Sequence, residues 1–585
     1  MVRMGRGSTL DLNTYFNSFY EQFWIERTTA RSFSWQLHMR GYFNIKIFRE
    51  RYNKKPVLLA ESVVRQTSDS DKITLKLPYS EGPCTDLGRI YLQFNAIEDG
   101  EFLGGRLVTE TKPHGEVILG LISVTYKKEV FIRALIDQWA RDEALIKKNT
   151  AFFVVDNGST LDQSEFTDAR LRIIPNRNLG GSGGFNRGLL EASDHGGFTH
   201  YLLMDDDILI DAESILRLIT FYEYAAEEYS VAGTMLDIND PMHFLGYGGT
   251  FGAIANGRKD PIFFMRSMNA NYRLDRPNNL NAMFAKEAPL DFAGFWFYGF
   301  PAAWLKQSGY IMPFFIHSDD IEFCLRQRLR HGKTITCLPS VAVWHHSHTT
   351  RTADYRPQAH IIYYNIRNMT ATYFLHGNIP VLRLIAALTL EFIKQLLTFN
   401  YEQAAWIALA VRHAIEGPDF LSKTDPASLH ETIREKFSGL NDSHKSSAPV
   451  SRSEIMNLFR PPPRTFWRKC AAIATLNGHL IPDALLKEGP VLFFDGQWQR
   501  LFGFKKSLLA QDASDLLEFR MRRRICLQLL AEWIGLCLKL LFAGRRLKTA
   551  WREAQTTLTE PGFVRKFTGK DDRINHPDEI PQSSV

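Results

Sequence analysis

The apolar and polar positions divide the chain into three regions with different periods. Between residues 32 and 113, short alternating or apolar runs such as Tyr42–Phe48 and Ile73–Leu77 are separated by turn-forming residues, which predicts antiparallel strands. From residue 117 to residue 204, apolar runs alternate with segments whose apolar residues recur at helical spacing. This alternation predicts a parallel sheet with helical crossovers. Beyond residue 357, the apolar residues form long helical stripes.

The changes of period place the domain boundaries. At 585 residues, the chain is too long for a single core. We predict an N-terminal extension at 1–31, a β-sandwich or jelly roll at 32–113, an α/β catalytic domain at 114–370, a helical domain at 371–568 and a polar tail at 569–585. A polar, proline-rich stretch at 442–463 is expected to be a linker or mobile loop.

An acidic run follows the last apolar strand of the α/β region. The run Tyr201–Met204 is followed directly by Asp205, Asp206 and Asp207. Ligands of open α/β sheets gather beyond the carboxyl ends of the strands. Three carboxylates repel each other there unless a cation compensates them, and such oxygen ligands suit Mg²⁺ or Mn²⁺. The pattern favours a metal site shared with substrate phosphates over a solvated acidic turn.

Two further features of this region have a binding interpretation and a plain one. Asp156 ends another predicted strand, where it could read a nucleotide or simply form a turn before Asn157. The segment Asn176–Gly188 is rich in glycine and precedes a helix. Glycines allow close approach of a ligand, and helix N-termini attract anions. A diphosphate site and a flexible surface loop are the alternatives.

Downstream, an aromatic run and an acidic helix start carry candidate chemistry. The run Asp291–Phe300 is either a core strand or a groove wall that stacks on sugar rings. In Pro313–Arg326, Asp319 and Asp320 stand at the start of a predicted helix. One aspartate is explained as a helix cap, and the other can face the cleft as a general base.

Histidines close a later apolar strand. His345, His346 and His348 follow the apolar run that begins at Val341. A lone histidine is more often structural, but an imidazole at a strand end can also complete a metal site. We favour His345 as a ligand of the same ion.

The composition limits the kinds of partner and the cellular compartment that we expect for this protein. A net charge of +6 over this length does not indicate a nucleic-acid partner. The 6 cysteines lack metal-ligand spacing, which argues against a zinc site or a disulfide framework and suits a reducing compartment. No secretory signal and no run of eighteen apolar residues is evident, so we expect a cytoplasmic protein without a spanning helix.

One C-terminal segment has the composition of a membrane-surface helix. Arg522–Arg546 is an apolar stretch between arginine clusters. It predicts either peripheral contact with an anionic membrane surface, at the cytoplasmic face of the inner membrane, or a packed bundle helix with solvated ends.

Four motifs together resemble a known family. NLGGSGGFNRG, LLMDDDI, PFFIHSDDIEFCLR and VWHHSH, in this order and at these spacings, are similar to the polymerising galactofuranosyltransferases of mycobacterial cell-wall galactan. These are inverting family 2 nucleotide-sugar glycosyltransferases. The resemblance covers roughly residues 30 to 370 and implies an α/β, A-type (Rossmann-like) glycosyltransferase domain preceded by a β-sandwich. The helical stripes beyond residue 357 predict that a helical domain follows it.

The resemblance also implies roles for individual residues. They are metal binding by Asp205, Asp207 and His345, catalysis by Asp320 as base, UDP-sugar binding by Asp156, Asn178, Asp205, Asp206 and Asp207, and an acceptor groove at Phe295, Trp296 and Asp319. The chain departs from the family where Tyr126–Lys128 replaces an arginine and where Phe295–Trp296 replaces a tryptophan pair.

The implied activity is metal-dependent transfer of galactofuranose from UDP-galactofuranose to a hydroxyl of a growing, lipid-linked cell-surface glycan, with Mn²⁺ or Mg²⁺ as cofactor. A homo-oligomer is compatible with the sequence. The alternatives are another UDP-hexose donor, a metal-dependent phosphoryl transferase or hydrolase, and a non-catalytic glycan-binding scaffold. Intact Asp205, Asp207 and Asp320 argue against the scaffold.

Overall fold

The computed structural model describes most of the chain. The described residues are 1–66, 72–77, 87–251, 265–267, 272–285, 290–345, 356–377, 380–436, 440, 444–445, 466–493, 498–510 and 516–570. Most of the predicted linker at 442–463 and nearly all of the predicted polar tail therefore lie outside the described residues.

The N-terminal region is a curled antiparallel sheet. Its elements are β1 (Val2–Met4), β2 (Thr9–Asp11), β3 (Phe19–Tyr20), α1 (Glu21–Arg27), β4 (Phe33–Glu50), β5 (Val57–Gln66), β6 (Ile73–Lys76), β7 (Arg89–Ala96) and β8 (Gly100–Thr109). The long strand β4 serves both halves of the sheet, because its first half pairs with β6 and β8 and its second half with β5 and β7. The halves pack on each other, with the rings of Phe94 and Phe102 4.9 Å apart.

This sheet occupies the region where the sequence predicts a sandwich or jelly roll. Hydrogen bonding joins its strands into one sheet through β4. Residues 1–31, predicted as an extension, contribute β1–β3 and α1. Gly41, at φ +115, lies in β4 where its two halves meet, and an added Cβ would lie 2.8 Å from the Gly100 Cα. The domain boundaries stay predictions.

The central domain is built around a mixed sheet. Its strands are β9 (Leu119–Thr125), β10 (Thr150–Asp156), β11 (Leu171–Pro175), β12 (His200–Asp205), β13 (Ile208–Ile210), β14 (Tyr229–Asp237), β15 (Phe244–Gly246), β18 (Tyr298–Pro301) and β19 (Thr334–His345), with a separate β16 (Gly249–Phe251) and β17 (Met265–Ser267) pair. Its helices are α2 (Glu129–Arg141), α3 (Glu143–Ile146), α4 (Gly180–His195), α5 (Ala212–Tyr224), α6 (Pro277–Ala285), α7 (Ala303–Ser308) and α8 (Asp319–His331).

The strand order confirms the predicted α/β fold. It runs β11-β10-β9-β12-β18-β14-β19-β13, with β15 paired to β14. The first four strands are parallel, and β9 lies between β10 on one side and β12 on the other. The chain therefore winds outward from β9 in both directions, which opens a crevice at the carboxyl ends of β9 and β12. The acidic run lies at that crevice because β12 ends at Asp205.

The glycines of the Asn176–Gly188 segment serve packing. Gly184 and Gly188 lie in α4 against β9, and an added Cβ would lie 2.3 Å from Val124 Cγ1 and 2.4 Å from Ile122 Cγ2, respectively. Neither distance leaves room for a side chain, so glycine lets α4 sit close to the central strand. From Gly180 onward, the segment is thus part of a packed helix and not the flexible surface loop considered as its alternative.

The C-terminal region is mainly helical and contains a small sheet that the sequence pattern did not predict. The helices are α9 (Arg356–His376), α10 (Val381–Leu397), α11 (Tyr401–Glu416), α12 (Pro418–Lys423), α13 (Pro426–Lys436), α14 (Phe466–Ala474), α15 (Arg523–Thr559) and α16 (Pro561–Thr568). The strands are β20 (His444–Lys445), β21 (Lys487–Phe493), β22 (Phe504–Ala510) and β23 (Leu516–Arg520). These strands are short, and Lys505–Lys506 interrupts the alternation that would reveal β22.

The C-terminal helices share a core with the catalytic domain. Met312, Phe314 and Phe315, which precede α8, are buried in the same cluster as residues of α9, α11 and α15. Within the described part of the chain, α15 is the helix long and apolar enough to cross a membrane, judged by length and composition alone. One face of α15, including Trp533 and Leu540, packs in this core.

Candidate functional site

Strand pairing brings a histidine to the acidic run. Asp205 ends β12, Asp207 precedes β13, and His345 ends β19. Because β13 pairs antiparallel with β19, Ile208 lies opposite His345. The Nε2 atom of His345 lies 3.1 Å from Asp207 Oδ1 and 3.5 Å from Asp205 Oδ2. One ligand atom from each of these three residues lies within 4.8 Å of the others, so the group can hold a metal ion.

The charges of this group are strongly coupled. Burial would lower the pKa of His345, but its contacts with Asp205 and Asp207 outweigh burial and raise the pKa to about 10. Without a metal, the imidazolium therefore partly neutralises the two carboxylates. A metal ion would take over that role, since an imidazole must be neutral to be a ligand.

Lys128 is a second cation of the site. In the sequence it stands out only within Tyr126–Lys128, where the chain departs from the family pattern. It stands between β9 and α2, and its Nζ lies 3.0 Å from both Asp206 Oδ1 and Asp207 Oδ2. Burial would lower its pKa, but the two carboxylates raise it above the ordinary value. The available sequence signal is its position just past the carboxyl end of the central strand.

Asp206 faces inward. Its side chain is buried, and burial raises its pKa while Lys128 partly offsets that effect. The three aspartates therefore differ. Asp205 and Asp207 surround His345, and Asp206 pairs with Lys128.

The Asp156 side chain stabilises the turn that follows β10. It is fully buried, and its carboxylate accepts hydrogen bonds from the backbone N–H groups of Gly158, Thr160 and Leu161. These bonds are those of the turn considered as its plain alternative. Its contact with a nucleotide stays a prediction.

Asn178 lies at the entrance to α4. It is half-buried, and its Oδ1 accepts a hydrogen bond of 3.1 Å from the Gly180 N–H. The N–H of Ser182, in the first turn of α4, donates to the Phe315 carbonyl at 3.1 Å. The start of α4 is thus tied to the segment before α8, and the role of Asn178 in UDP binding stays a prediction.

Asp319 and Asp320 open α8 beside the metal-binding group. Asp319 is buried and Asp320 is half-buried, and the Ile321 N–H donates to Asp320 Oδ1 at 2.8 Å. Burial raises the pKa of both carboxyls, and the charge of Asp205 raises both further. Backbone N–H groups lower the pKa of Asp319, which is the effect expected of a carboxylate at a helix start.

The two aromatic residues among the three predicted for the acceptor groove differ in exposure. Phe295 is buried, with its ring 5.3 Å from Phe185 and 6.0 Å from Phe323, so it is a core residue. Trp296 is half-buried, and its Nε1–H donates to the Gly233 carbonyl at 2.9 Å. Only Trp296 of this pair offers surface for a sugar, and its place in a groove stays a prediction.

Residues 124–361 match the family described as "Glycosyltransferase like family 2". The chain is 26% identical over 440 residues to galactofuranosyltransferase GlfT2 of Mycolicibacterium smegmatis, covering 72% of this chain and 66% of that protein. It is 24% identical over 454 residues to galactofuranosyltransferase GlfT2 of Mycobacterium tuberculosis, covering 74% and 69%. The alignments thus span about two thirds of the length of these relatives.

A likeness to a solved structure is weaker. The mannosyltransferase PcManGT from Pyrobaculum calidifontis, in complex with GDP-Man and Mn²⁺, aligns at 14% identity with a TM-score of 0.30. The alignment covers 57% of this chain and 88% of that one.

Proposed function

We propose that this chain, which is a glycosyltransferase similar to the mycobacterial galactofuranosyltransferases, moves galactofuranose from UDP-galactofuranose to a glycan hydroxyl with inversion at the anomeric carbon. The observation that carries the proposal is the grouping of Asp205, Asp207 and His345 at the sheet's crevice. A diphosphate needs cationic charge, and an acceptor hydroxyl needs a base. The charge of Asp205 acts on Asp319 and Asp320, so the two parts of the site are neighbours.

The ligand set fits a divalent cation. Two carboxylates and an imidazole are ligands that Mn²⁺ accepts, and carboxylates also suit Mg²⁺. We propose that Asp205, Asp207 and His345 hold this ion. When bound, it would stabilise the negative charge of the departing diphosphate. Lys128 adds a fixed positive charge next to Asp207, close to the proposed diphosphate site.

The proposed reaction is a single displacement. The hydroxyl oxygen of the acceptor forms a bond to the anomeric carbon, while the Asp320 carboxylate accepts the proton of that hydroxyl. The bond between that carbon and the β-phosphate oxygen breaks, and UDP leaves with the bonding electron pair. Attack opposite to the leaving group inverts the anomeric centre. The raised pKa of Asp320 makes it a stronger base than an ordinary aspartate.

A lipid-linked acceptor is supported by the surface of α15. Its outer face exposes large apolar side chains within the arginine-flanked segment, namely Leu527, Ile534, Leu538, Leu541 and Phe542. The same helix buries Trp533 and Leu540 in the protein core. The segment is therefore a packed helix with an apolar outer face, and that face supports the proposal of membrane contact. We propose that this face contacts an anionic membrane, at the cytoplasmic face of the inner membrane.

The test is a donor screen with the purified chain. UDP-galactofuranose, UDP-galactopyranose and UDP-glucose are each supplied with Mn²⁺, Mg²⁺ or EDTA, with and without a lipid-linked galactofuranose acceptor. We expect acceptor-dependent UDP release and chain extension from UDP-galactofuranose, abolished by EDTA and by Asp207→Ala. Extension from another UDP-hexose alone would overturn the donor assignment, and metal-independent transfer would overturn the metal assignment.

A further inference from the structure

The segment that leads into α8 has an unusual backbone. Phe315, His317 and Ser318 have φ values of +74°, +63° and +62°. Residues with a Cβ rarely adopt this left-handed backbone conformation, because the Cβ crowds the following carbonyl. Such a run persists only where surrounding structure imposes it, and it ends at the residues proposed to carry the acceptor chemistry.

A buried asparagine of α9 holds this segment. The Nδ2 atom of Asn368 lies 3.2 Å from the Phe314 carbonyl oxygen and 2.8 Å from those of Ile316 and His317. Asn368 is completely buried. Three carbonyls so close in the chain can converge on one amide only if the backbone between them turns, which accounts for the left-handed residues.

Arg367 fixes the orientation of that amide. Its Nε–H donates to Asn368 Oδ1 at 2.8 Å, and its Nη2–H donates to the Phe314 carbonyl at 2.7 Å. A guanidinium can only donate, so the amide oxygen must face Arg367 and the amide NH₂ must face the segment. Arg367 is itself buried, with its guanidinium over the rings of Tyr363 and Tyr364.

The other side of the segment rests on α4. The Phe315 N–H donates to Ser182 Oγ at 2.7 Å, and the Phe315 carbonyl accepts from the Ser182 N–H at 3.1 Å. At Gly180, an added Cβ would lie 2.2 Å from the Phe315 oxygen. Residues 314–318 are therefore held by hydrogen bonds to α4 on one side and to α9 on the other.

We propose that Asn368, oriented by Arg367, is a positioning residue that sets where the Asp320 carboxylate points. This proposal rests on the proposed role of Asp320. Asn368 acts through the main chain of residues 314–318 and need not touch either substrate. It lies in α9, beyond the 124–361 family match, so the motifs of that match do not include it.

The most direct variant is Asn368→Asp. It keeps the size of the side chain but replaces the NH₂ donor by an oxygen that repels the three carbonyls. We expect kcat for transfer to fall about 10²-fold, the effect of a misplacement on the order of 1 Å. The KM for the donor and the affinity for UDP with Mn²⁺ should stay near wild type, because the metal-binding group is untouched.

The matched control is Thr370→Val on the same helix. Thr370 is equally buried, but its hydroxyl donates to the Ile366 carbonyl within α9 and not to the segment. It should leave kcat near wild type. Arg367→Lys is a second, milder variant that should lower kcat in the same direction if Asn368→Asp fails to fold. Equal losses of kcat in Thr370→Val and Asn368→Asp would overturn the proposal.

A double-mutant cycle separates positioning from general destabilisation. If Asn368 acts through Asp320, Asn368→Asp should cost little further activity in an Asp320→Asn background. Independent, multiplicative losses would overturn the proposal. If the wild type transfers no sugar, the proposed function fails by itself, and hydrogen exchange then decides. Asn368→Asp should speed amide exchange in residues 314–322 and leave residues 200–210 unchanged, whereas unchanged exchange in 314–322 would reject the positioning role.

Discussion

His345 Nε2 lies 3.1 Å from Asp207 Oδ1, although the two residues are far apart in the chain. The contact follows from antiparallel pairing of β13 with β19, which sets Ile208 opposite His345. The ligand geometry therefore depends on the sheet as well as on the acidic run. A change that disturbs this pairing would separate the imidazole from the carboxylates without altering any ligand.

Replacing Asp207 with alanine should abolish transfer and weaken UDP binding in the presence of Mn²⁺. A metal that stabilises the leaving group contributes several kcal/mol, so the loss of rate should reach about 10³-fold or more. Calorimetry with UDP and Mn²⁺ measures the binding. Asp211→Asn is the control, because Asp211 caps α5 nearby without joining the metal-binding group. Unchanged UDP affinity in Asp207→Ala would remove Asp207 from the metal site.

Lys128→Met should destabilise the metal-free protein. Asp206 is buried beside Asp207, and Lys128 supplies the counter-charge for both. Losing charged hydrogen bonds of this kind costs about 1–3 kcal/mol, at the lower end here because Lys128 is partly exposed. Saturating Mn²⁺ should recover part of the loss by neutralising Asp207. Thermal unfolding with and without Mn²⁺ measures both effects.

The control for that experiment is Lys127→Met. Lys127 lies next in sequence, and its Nζ is over the Tyr126 ring rather than the acidic run. It should change stability little, and Mn²⁺ should act on it as on the wild type. A melting temperature of Lys128→Met equal to that of Lys127→Met would mean that Lys128 does not compensate the aspartates.

The sheet and the residue types of the site could be predicted from the sequence better than the roles of single residues. The apolar run Tyr201–Met204 located β12 to within one residue at each end, because both faces of this central strand are covered. The acidic run and His345 were found because strand ends converge at one edge of the sheet. The resemblance to galactofuranosyltransferases is confirmed by the relatives that match the chain.

What the sequence missed depends on contacts between distant segments. Lys128 gains its role from Asp206 and Asp207, and Asn368 gains its role from the segment before α8. Neither lies in a motif. The sequence is compatible with Phe295 in a groove wall or in the core. Its packing against Phe185 in the structure identifies it as a core residue. Local patterns do not contain such information.

Reversing Arg545 and Arg546 to glutamate should weaken binding to anionic liposomes. Both side chains are exposed next to Phe542, which is 83% exposed. Each basic residue near an anionic surface contributes about 1 kcal/mol, so reversing two charges should lower the partition coefficient at least about tenfold. Binding of the wild type should also weaken as salt is raised. Liposome sedimentation measures both.

Lys54→Glu with Lys55→Glu is the control for the membrane experiment. It reverses the same number of exposed charges in the turn between β4 and β5 of the N-terminal sheet. If both double variants sediment like the wild type, the outer face of α15 does not bind membranes. If both lose binding equally, the interaction depends on net charge and not on α15.

Asp320→Asn should lower kcat by about 10²–10⁴-fold, the range for loss of a general base. The amide keeps the shape of the carboxyl but cannot accept the hydroxyl proton. The affinity for UDP with Mn²⁺ should stay near wild type, since Asp320 is not a metal ligand in the proposed site. Steady-state kinetics and calorimetry check the two parts. A fall in UDP affinity that matches the fall in kcat would instead place Asp320 in donor binding.

Asp319→Asn should shift the pH dependence of kcat to lower pH. Burial and then the charge of Asp319 raise the pKa of Asp320. A base must be deprotonated, so kcat of the wild type should rise with pH through this raised pKa. Removing the Asp319 charge makes ionisation of Asp320 easier, and the rising limb should move toward acid. A bound metal lowers the pKa of Asp320 in both proteins, so the sign of the difference between them is kept.

The kcat–pH profiles of the wild type and Asp319→Asn, measured at saturating Mn²⁺, give the shift directly. A limb that stays in place would show that Asp320 does not sense Asp319, and a kcat loss as large as that of Asp320→Asn would make Asp319 the base.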